Sequence, residues 1–583
     1  MRWFIKSSIP EEEVDFKALG LSALDYRLLV NRGVTSREEI QTFFNPSLEN
    51  IPAPFLMKNL IAASNRISAH IKKGSKIRII GDYDVDGVMS TTIFMRGLTR
   101  LGAKVDYDIP HRIHDGYGLN VDLVEKAKEE GIDLLITCDN GIAAFGACQK
   151  VKDLGMDLIV TDHHDLVKEE GKDLLPQADC ILNPKQEEDS YPFKNLCGAG
   201  VAFKLLSALY TLHGLEEYVS EDFLAYTALA TVCDVMPLIS ENRVLVSLGL
   251  EEIRESDHLG LQALIAACDL FQEEVSGYHL GFVLGPTINS VGRLEDAKEA
   301  VQLFLTEDLD QAQNLAHHFR DLNRYRQDLT NQGLRDISLK LKEETSLPDI
   351  LMVVQEDLHE SIVGIIAGRI KEKTHRPVVV LTKTDQGLKG SGRSIEAYNM
   401  SQEFGKFRDL LSSFGGHPMA CGLSVKEEAF PKFYQKILEA SPLAKEDLEA
   451  TYYLDAQVPI HMVTENLVED LEKFAPFGNG NPRPLFGDLD LHIDHLQILG
   501  KKQNVLKFQV IKNGVFREAI LFGGVHQFFQ DLNAVYPKEL VEDLYYNRKT
   551  PIRVDILYRP KINQFNNKRT VQLQLEAYRF KEV

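Results

Sequence analysis

Between residues 76 and 240, short aliphatic runs alternate with stretches long enough for helices, and no other feature limits the fold as strongly. KIRIIG (76–81), KVDYDIP (104–110), DLLITCD (133–139), DLIVTDHH (157–164) and DCILNP (179–184) read as strands. VMSTTIFMRGLTRLG (88–102) and AAFGACQKVKDLG (143–155) read as helices between them. Residues 198–214 and 222–235 read as further helices. Strands separated by helix-length segments predict βαβ units and a mostly parallel sheet.

A chain of 583 residues is too long for one hydrophobic core, so three or four domains are expected. Residues 297–345 hold no proline and carry apolar residues at helical spacing, which predicts one long helix or two shorter ones bridging two domains. An α/β pattern returns over 348–450, with DILMVVQ and PVVVLTK as strands around the helix GIIAGRIKEK. The last stretch is mainly β, in five runs from DLHIDHLQILG to TVQLQLEAYRF. Five short strands fit a small barrel such as an OB-fold, and a sandwich also fits. The expected division is an N-terminal segment 1–50, a first α/β domain 51–255, a helical linker 256–345, a smaller α/β domain 346–450 and a β-barrel 455–583.

The loop after the first strand reads GDYDVDG. It places Asp82, Asp84 and Asp86 at alternate positions, within about 14 Å of extended chain. Ligands of an open parallel sheet bind outside the carboxyl ends of its strands. Asp139 in CDNG follows the third strand there, and Asp162, His163 and His164 follow the fourth. Each aspartate alone is an ordinary turn former or helix cap. Asp162 fits that description, orienting the histidine pair or capping the next helix. Together they form a concentration of carboxylates and imidazoles that is tolerable mainly if cations neutralise it. The donor set suits Mn²⁺ or Mg²⁺, and several carboxylates can hold two ions about 4 Å apart. Asp234 adds to this. It ends an apolar helix stopped by Pro237, where the helix dipole disfavours a carboxylate and a bound cation would favour it.

Composition excludes several classes. The formal net charge of −21 argues mildly against nucleic acid and anionic membranes, although the total includes any acidic metal cluster. Seven scattered cysteines without a CxxC pair argue against a thiolate zinc site or a disulfide framework and suit a cytoplasm. The start, MRWFIKSSIPEEEVDF, lacks the apolar stretch and cleavage site of a signal peptide. No run approaches the ~18 apolar residues of a membrane span. Nothing demands an oligomer, so a monomer is expected.

The second α/β domain has no acidic cluster and offers glycines and basic groups instead. GSGRS places Ser391 and Arg393 beside accessible backbone amides, a nest with an arginine fork that suits a phosphate. FGGHPMACGL repeats the idea with Gly415, Gly416 and His417. Arg293 in VGRL and Arg112 in PHRIHDGYG are further candidates. One such stretch alone is better read as a turn with a solvated arginine. Four of them accompanying an acidic cluster point to a phosphate grip whose binding weakens as salt rises. Phe474, Phe477 and Phe486, near PFGNGNPRPLF, either stack bases or fill the barrel.

The order DxDxD, DNG, DHH and a late aspartate resembles the DHH phosphoesterase superfamily. The wider set, from GDYDVDG, PHRIHDGYGLN and CGAGVAFKL through NSVGRL, GIIAGR and GSGRS to PFGNGNPRPLF, resembles its bacterial single-strand-specific 5′→3′ DNA exonucleases over nearly the whole chain. The resemblance implies a DHH domain, a linking helix, a DHH-associated domain and an OB-fold. It implies metal binding at Asp84, Asp86, Asp139, His163 and Asp234, with Asp82 either a direct ligand or one step behind. His164 is then left to contact the scissile phosphate or orient a ligand. It further implies a role in DNA repair and recombination, single-stranded DNA as substrate, and a single-strand-binding protein and a helicase as partners.

The leading expectation is a metal-dependent exonuclease that degrades single-stranded DNA to mononucleotides by two-metal hydrolysis. One alternative is a DHH phosphodiesterase acting on short oligoribonucleotides or cyclic dinucleotides. The extra β domain disfavours it, because a tiny substrate needs no strand-binding module. Another is a catalytically silent nucleic-acid-binding subunit, disfavoured because every candidate ligand is present.

Overall fold

The computed structural model describes residues 1–7, 15–112, 115–344, 346–546, 548–565 and 568–581. His114 of the PHRIHDGYGLN stretch therefore lies outside the described residues. The chain divides into two compact units. One joins Pro52–Met236 with Leu248–Ala450, and the other gathers Met1–Ile51, Pro237–Ser247 and Thr451–Val583.

The first unit opens with a sheet of five parallel strands: β1 (Lys76–Ile80), β2 (Lys104–Asp108), β3 (Leu134–Cys138), β4 (Asp157–Thr161) and β5 (Cys180–Leu182). Their order is β2-β1-β3-β4-β5. β3 is buried at every position and β1 at all but Lys76, which is why both read as unbroken aliphatic runs. Helices α1 (Val85–Arg100), α2 (Val121–Glu129) and α3 (Phe145–Asp153) make the crossovers, and α4 (Gly198–His213) and α5 (Ala225–Cys233) pack against α1. Strand order reverses at β1, so the loops after β1 and β3 flank the switch point where such sheets bind ligands.

The segment 297–345 forms two helices, Lys298–Leu305 and α7 (Leu309–Glu343); α6 (Gly285–Leu294) precedes them. The 35 residues of α7 extend about 52 Å, and Asp308 caps its start through bonds from the amides of Asp310 and Gln311. α7 leads to a second sheet of β6 (Leu351–Val354), β7 (Val378–Thr384), β8 (Gly387–Arg393), β9 (Ser413–His417) and β10 (Ala420–Val425), in the order β9-β10-β8-β7-β6. α8 (Val363–Thr374) links the parallel pair β6 and β7, and the other pairings are antiparallel.

This sheet corrects the glycine-nest reading. Ser391 and Arg393 lie in a central strand, where Ser391 pairs with Val380 on one side and Gly422 on the other. Backbone amides committed to two ladders do not cradle an anion. Gly415, Gly416 and His417 lie on the edge strand β9 and are exposed.

In the second unit, β11 (Phe486–Leu499), β12 (Val505–Lys512), β13 (Val515–Phe522), β14 (Arg553–Phe565) and β15 (Lys568–Phe580) run β11-β12-β13-β15-β14, and β14 returns to pair with β11. The closed five-stranded barrel, with β13 and β15 parallel, is an OB-fold and not a sandwich. Its core takes in Leu28, Leu29, Ile40 and Phe43 from the amino-terminal helices. Phe474 and Phe486 are fully buried, and Phe477 packs against the same core under the Arg483 guanidinium. Phe474 and Phe486 fill the interior, so base stacking is not their role, while Phe477 is partly buried at its edge. Among the described residues no helix is long and apolar enough to cross a membrane.

Candidate metal centre and phosphate pocket

Asp84 does two things at once. As the residue before α1, it caps that helix by accepting from the amides of Asp86 at 3.0 Å and Gly87 at 3.2 Å. The same cap turns the loop so that Asp82 and Asp86 point inward, exposed by 1% and 2%. Gly87 permits the tight turn, since a Cβ there would sit 2.6 Å from the Asp82 Cα. Asp86 is held from the opposite side by the first turn of α4: its carboxylate accepts from the amides of Gly198 at 2.6 Å and Ala199 at 2.8 Å. Asp139 follows β3 in the left-handed backbone region, at φ 63°, and packs so closely on Gly198 that a Cβ there would lie 2.6 Å from its own.

These constraints bring three loops and the end of α5 to one point. The Nε2 of His163 lies 3.0 Å from Asp139 Oδ1, 3.5 Å from Asp86 Oδ2 and 3.7 Å from Asp234 Oδ2. Ligand atoms of Asp86, His163 and Asp234 all fall within 4.8 Å of one another, as do those of Asp82, Asp84 and Asp139. Asp82 Oδ1, Asp139 Oδ1, Asp234 Oδ2 and both ring nitrogens of His163 are buried with no hydrogen-bond partner. A buried polar atom left unpaired is costly, so the unpaired carboxylate oxygens gathered with His163 Nε2 fit a divalent cation.

The electrostatics agree. Burial, with Asp84 beside it, pushes the Asp82 carboxyl well above the usual carboxylate range. Burial and Asp86 do the same to Asp139 and lift Asp234 to about 8. Burial lowers His163 despite Asp86, which keeps its imidazole neutral as a metal ligand requires. The neighbouring pair behaves differently. Asp162 Oδ1 accepts from the amides of His163 and His164 and lies 2.8 Å from His164 Nδ1, while its Oδ2 accepts from the Ile142 amide. Burial would raise Asp162, but its bond to His164 takes it down to about 2. Burial would lower His164, but the same bond takes it up to about 9. The Asp162 bond thus favours the protonated form of His164 beside the centre and fixes the orientation of its ring.

Guanidiniums lie near the same cluster, Arg112 close enough to act on Asp82 and Arg293 close enough to feel Asp84. Arg112 stacks on the Tyr83 ring at 4.1 Å, and its Nε is buried without a partner. Arg293 of α6 donates to the Ser361 carbonyl at 2.6 Å. Arg393 donates to Ser391 Oγ and the Gly392 carbonyl. Burial lowers Arg293 to about 9, and Arg112, Arg326 and Arg393 push it the same way against Asp84. Arg326 is lowered by burial and by Arg369. Among the described residues no carboxylate makes an ion pair with any of these five arginines, so the pocket they form suits an anion.

Comparison with known proteins places the chain. Residues 76–231 match the DHH family, N-terminal domain; residues 348–441 match the DHHA1 domain; and residues 454–577 match the RecJ OB domain. The chain is 33% identical over 582 residues to the single-stranded-DNA-specific exonuclease RecJ of Bacillus subtilis, covering 99% of itself and 70% of that protein. It is 31% identical over 591 residues to the Escherichia coli protein of the same description, covering 97% of each. The chain belongs to the RecJ family. A crystal structure of RecJ in complex with Mn²⁺ from Thermus thermophilus superposes with a TM-score of 0.82 at 28% identity, covering 100% of this chain and 80% of that one. Its Mg²⁺ complex gives 0.77.

Several residues near the centre of this RecJ-family chain escaped sequence reasoning. Arg326 lies in α7, which reads as a linker, and its only signal is the basic run RDLNRYRQ. Arg369 sits in GIIAGR on α8, a motif noted without a role for its arginine. Tyr117 donates to the Asp139 carbonyl at 2.7 Å and its hydroxyl lies 3.4 Å from the His164 ring. Lys185, after β5, pairs with Asp165 at 2.8 Å, and His417 is near enough to help hold Asp165 below the usual carboxylate range. Gly415 and Gly416 show no such link to the cluster.

Proposed function

We infer that this chain is a single-stranded-DNA-specific exonuclease that works with Mn²⁺ or Mg²⁺. The observation that carries the reading is the proximity of two features: unpartnered buried ligand atoms of Asp82, Asp139, His163 and Asp234, and arginines without carboxylate partners beside them. A phosphodiester needs both, since cations must meet its bridging and non-bridging oxygens while other cations hold its neighbouring phosphate.

In this reading Asp82, Asp84 and Asp139 would hold one ion and Asp86, His163 and Asp234 would hold another. When bound, such ions supply Lewis acidity toward water and the scissile phosphate. His164, its protonated form favoured by Asp162, donates a hydrogen bond to a phosphate oxygen or a proton to the leaving group. Arg112, Arg293 and Arg393, with Ser391, grip a terminal 5′-phosphate. That grip fixes the 5′→3′ direction and makes the product a mononucleotide. Gly415, Gly416 and His417 on the edge strand lie against the departing backbone. Residues 51–255 thus cut, 346–450 grip, and the OB-fold holds the strand. A cytoplasmic monomer that works beside a single-strand-binding protein and a helicase in repair and recombination belongs to the same reading, on the strength of the family.

The test uses Mn²⁺ with strands labelled at either end, the matching duplex, a short oligoribonucleotide and a cyclic dinucleotide. Early release of labelled mononucleotide from the 5′ end supports the reading. Release first from the 3′ end removes the assigned polarity. Preference for the small substrates, or binding without cleavage, overturns it.

A further inference from the structure

The arginine pocket holds more cations than one phosphate needs. Its five guanidiniums form a series: Arg293 feels Asp84 on one side and Arg112, Arg393 and Arg326 on the other, and Arg326 in turn feels Arg369. The series therefore starts beside the acidic cluster and ends away from it.

Packing fixes this order. The Arg393 side chain lies along α8 over two glycines. A Cβ on Gly364 would meet its Nη2 at 2.9 Å, and one on Gly368 would meet its Cγ at 3.9 Å. Its guanidinium thus sits at the first turn of α8, where Arg293 also arrives to donate to the Ser361 carbonyl. Arg369 follows Gly368 on the same helix, about 7.5 Å along the axis from Gly364. Arg326 comes from α7. Asn323 accepts from its Nε at 3.1 Å and its Nη2 at 2.8 Å, and is itself anchored by donating to Thr287 Oγ1 of α6 at 3.0 Å.

The acceptors that place Arg293, Arg326 and Arg393 are carbonyls, a hydroxyl and an amide, all neutral. They orient the guanidiniums and leave the charge in place. A terminal monophosphate brings roughly two negative charges, far short of five guanidiniums. Like charges gathered in a half-buried site are costly unless something offsets them. The pocket is built for more negative charge than one phosphate carries.

We propose that the pocket accepts a 5′-triphosphate, with its inner phosphate on Arg112, Arg293, Arg393 and Ser391 and its outer phosphates along α8 toward Arg326 and Arg369. The proposal rests on the exonuclease reading above and widens its substrate to strands begun from a free nucleoside triphosphate, the end left by synthesis that needs no primer. The hydrolysis itself is the same. Water adds to the phosphorus between the first and second nucleotides, the P–O3′ bond breaks, and O3′ takes the proton. The first nucleotide leaves as a nucleoside triphosphate, and the new end carries a monophosphate.

The experiment gives the wild type, in Mn²⁺, one 20-mer bearing either a 5′-monophosphate or a 5′-triphosphate labelled at its outermost phosphate. The label leaves as an intact nucleoside triphosphate, and kcat/KM for the triphosphate strand is no lower than for the monophosphate strand. In an Arg326→Ala/Arg369→Ala variant the triphosphate-to-monophosphate ratio of kcat/KM falls at least about tenfold, the low end for losing a hydrogen bond between charged groups. Arg369→Ala alone, at an exposed position that the fold tolerates, lowers the ratio in the same direction. Arg326→Lys/Arg369→Lys keeps most of the ratio, because it keeps the charge. Label released as phosphate or pyrophosphate overturns the proposal, as does a triphosphate strand left intact while the monophosphate strand is consumed. An unchanged ratio in the alanine variants also overturns it, since both arginines would then touch backbone common to the two strands. Failure of the wild type to degrade the monophosphate strand would instead overturn the exonuclease reading.

Discussion

Asp139 is the residue on which both carboxylate groups converge, 3.0 Å from His163 and within reach of Asp82 and Asp84. Asp139→Ala is expected to lower turnover by at least about a thousandfold, as loss of a shared ligand would. Single-strand affinity should change only a few-fold, because the arginine pocket is intact. Rate and fluorescence anisotropy measured in parallel decide it, and unimpaired turnover removes Asp139 from the ligand set. In the arginine pocket, Arg393→Ala should flatten the dependence of log affinity on log salt by about 0.7, the value for one phosphate contact on a single strand. It should also erase any preference for a 5′-phosphate over a 5′-hydroxyl. An unchanged slope would mean that Arg393 touches no phosphate. The clustering of the acidic residues was legible because they recur in short local patterns. Arg326 was not, because a lone arginine on a long polar helix looks solvated until tertiary packing turns it toward Arg293. The three phenylalanines near the barrel approach stayed undecided between stacking and packing for the converse reason: nothing local separates a buried ring from an exposed one.

At the level of elements, the first sheet was readable because parallel strands covered on both faces leave unbroken aliphatic runs. β8 was not. Its inward positions include Gly390 and Gly392, where a Cβ would meet Leu381 at 2.8 Å and the Met400 sulfur at 2.4 Å. Glycine fills slots that normally carry the apolar signal, so the strand reads as a loop. The turn into α5 shows a different constraint. Asp222, with its side chain 2% exposed, accepts from Arg100 at 2.5 and 2.9 Å, from Arg96 at 3.1 Å and from Tyr210 at 2.7 Å, tying α1 and α4 together ahead of the Asp234 end of α5. Burial opposes its ionisation, but the Arg100 bond prevails and its pKa is lowered. A carboxyl depressed in the folded state contributes stability that is complete above its unfolded value, near 3.9, and is lost as pH falls through the folded value. Asp222→Asn should therefore cost about 1–3 kcal/mol at pH 7 and progressively less below about pH 4, read from urea melts at each pH. A constant difference across that range would show that charge is not what the site uses.

For the whole molecule, the unit containing the barrel draws its core from both ends of the chain. Leu28, Leu29, Ile40 and Phe43 come from residues that precede the first parallel sheet, and they pack with strands more than 400 positions later. Removing residues 1–51 takes away four buried side chains worth roughly 6–12 kcal/mol together, comparable to the full stability of a domain. The shortened chain should show rapid proteolysis within Thr451–Val583 while Pro52–Met236 stays protected, and uniform resistance would contradict the shared core. The element order of the two units was readable from pattern. This pairing of distant segments was not, because no periodicity records which remote stretch a short amphipathic helix will meet.

The same interlacing sets a timetable for synthesis. The ribosome delivers the first wall of the barrel unit before the α/β unit and its last strands after it. The α/β unit is complete once Ala450 has emerged. A growing chain therefore holds a finished α/β unit while the apolar side of its early helices still waits for a partner, and a message cut short after that codon would release that unit without the barrel strands that close the other.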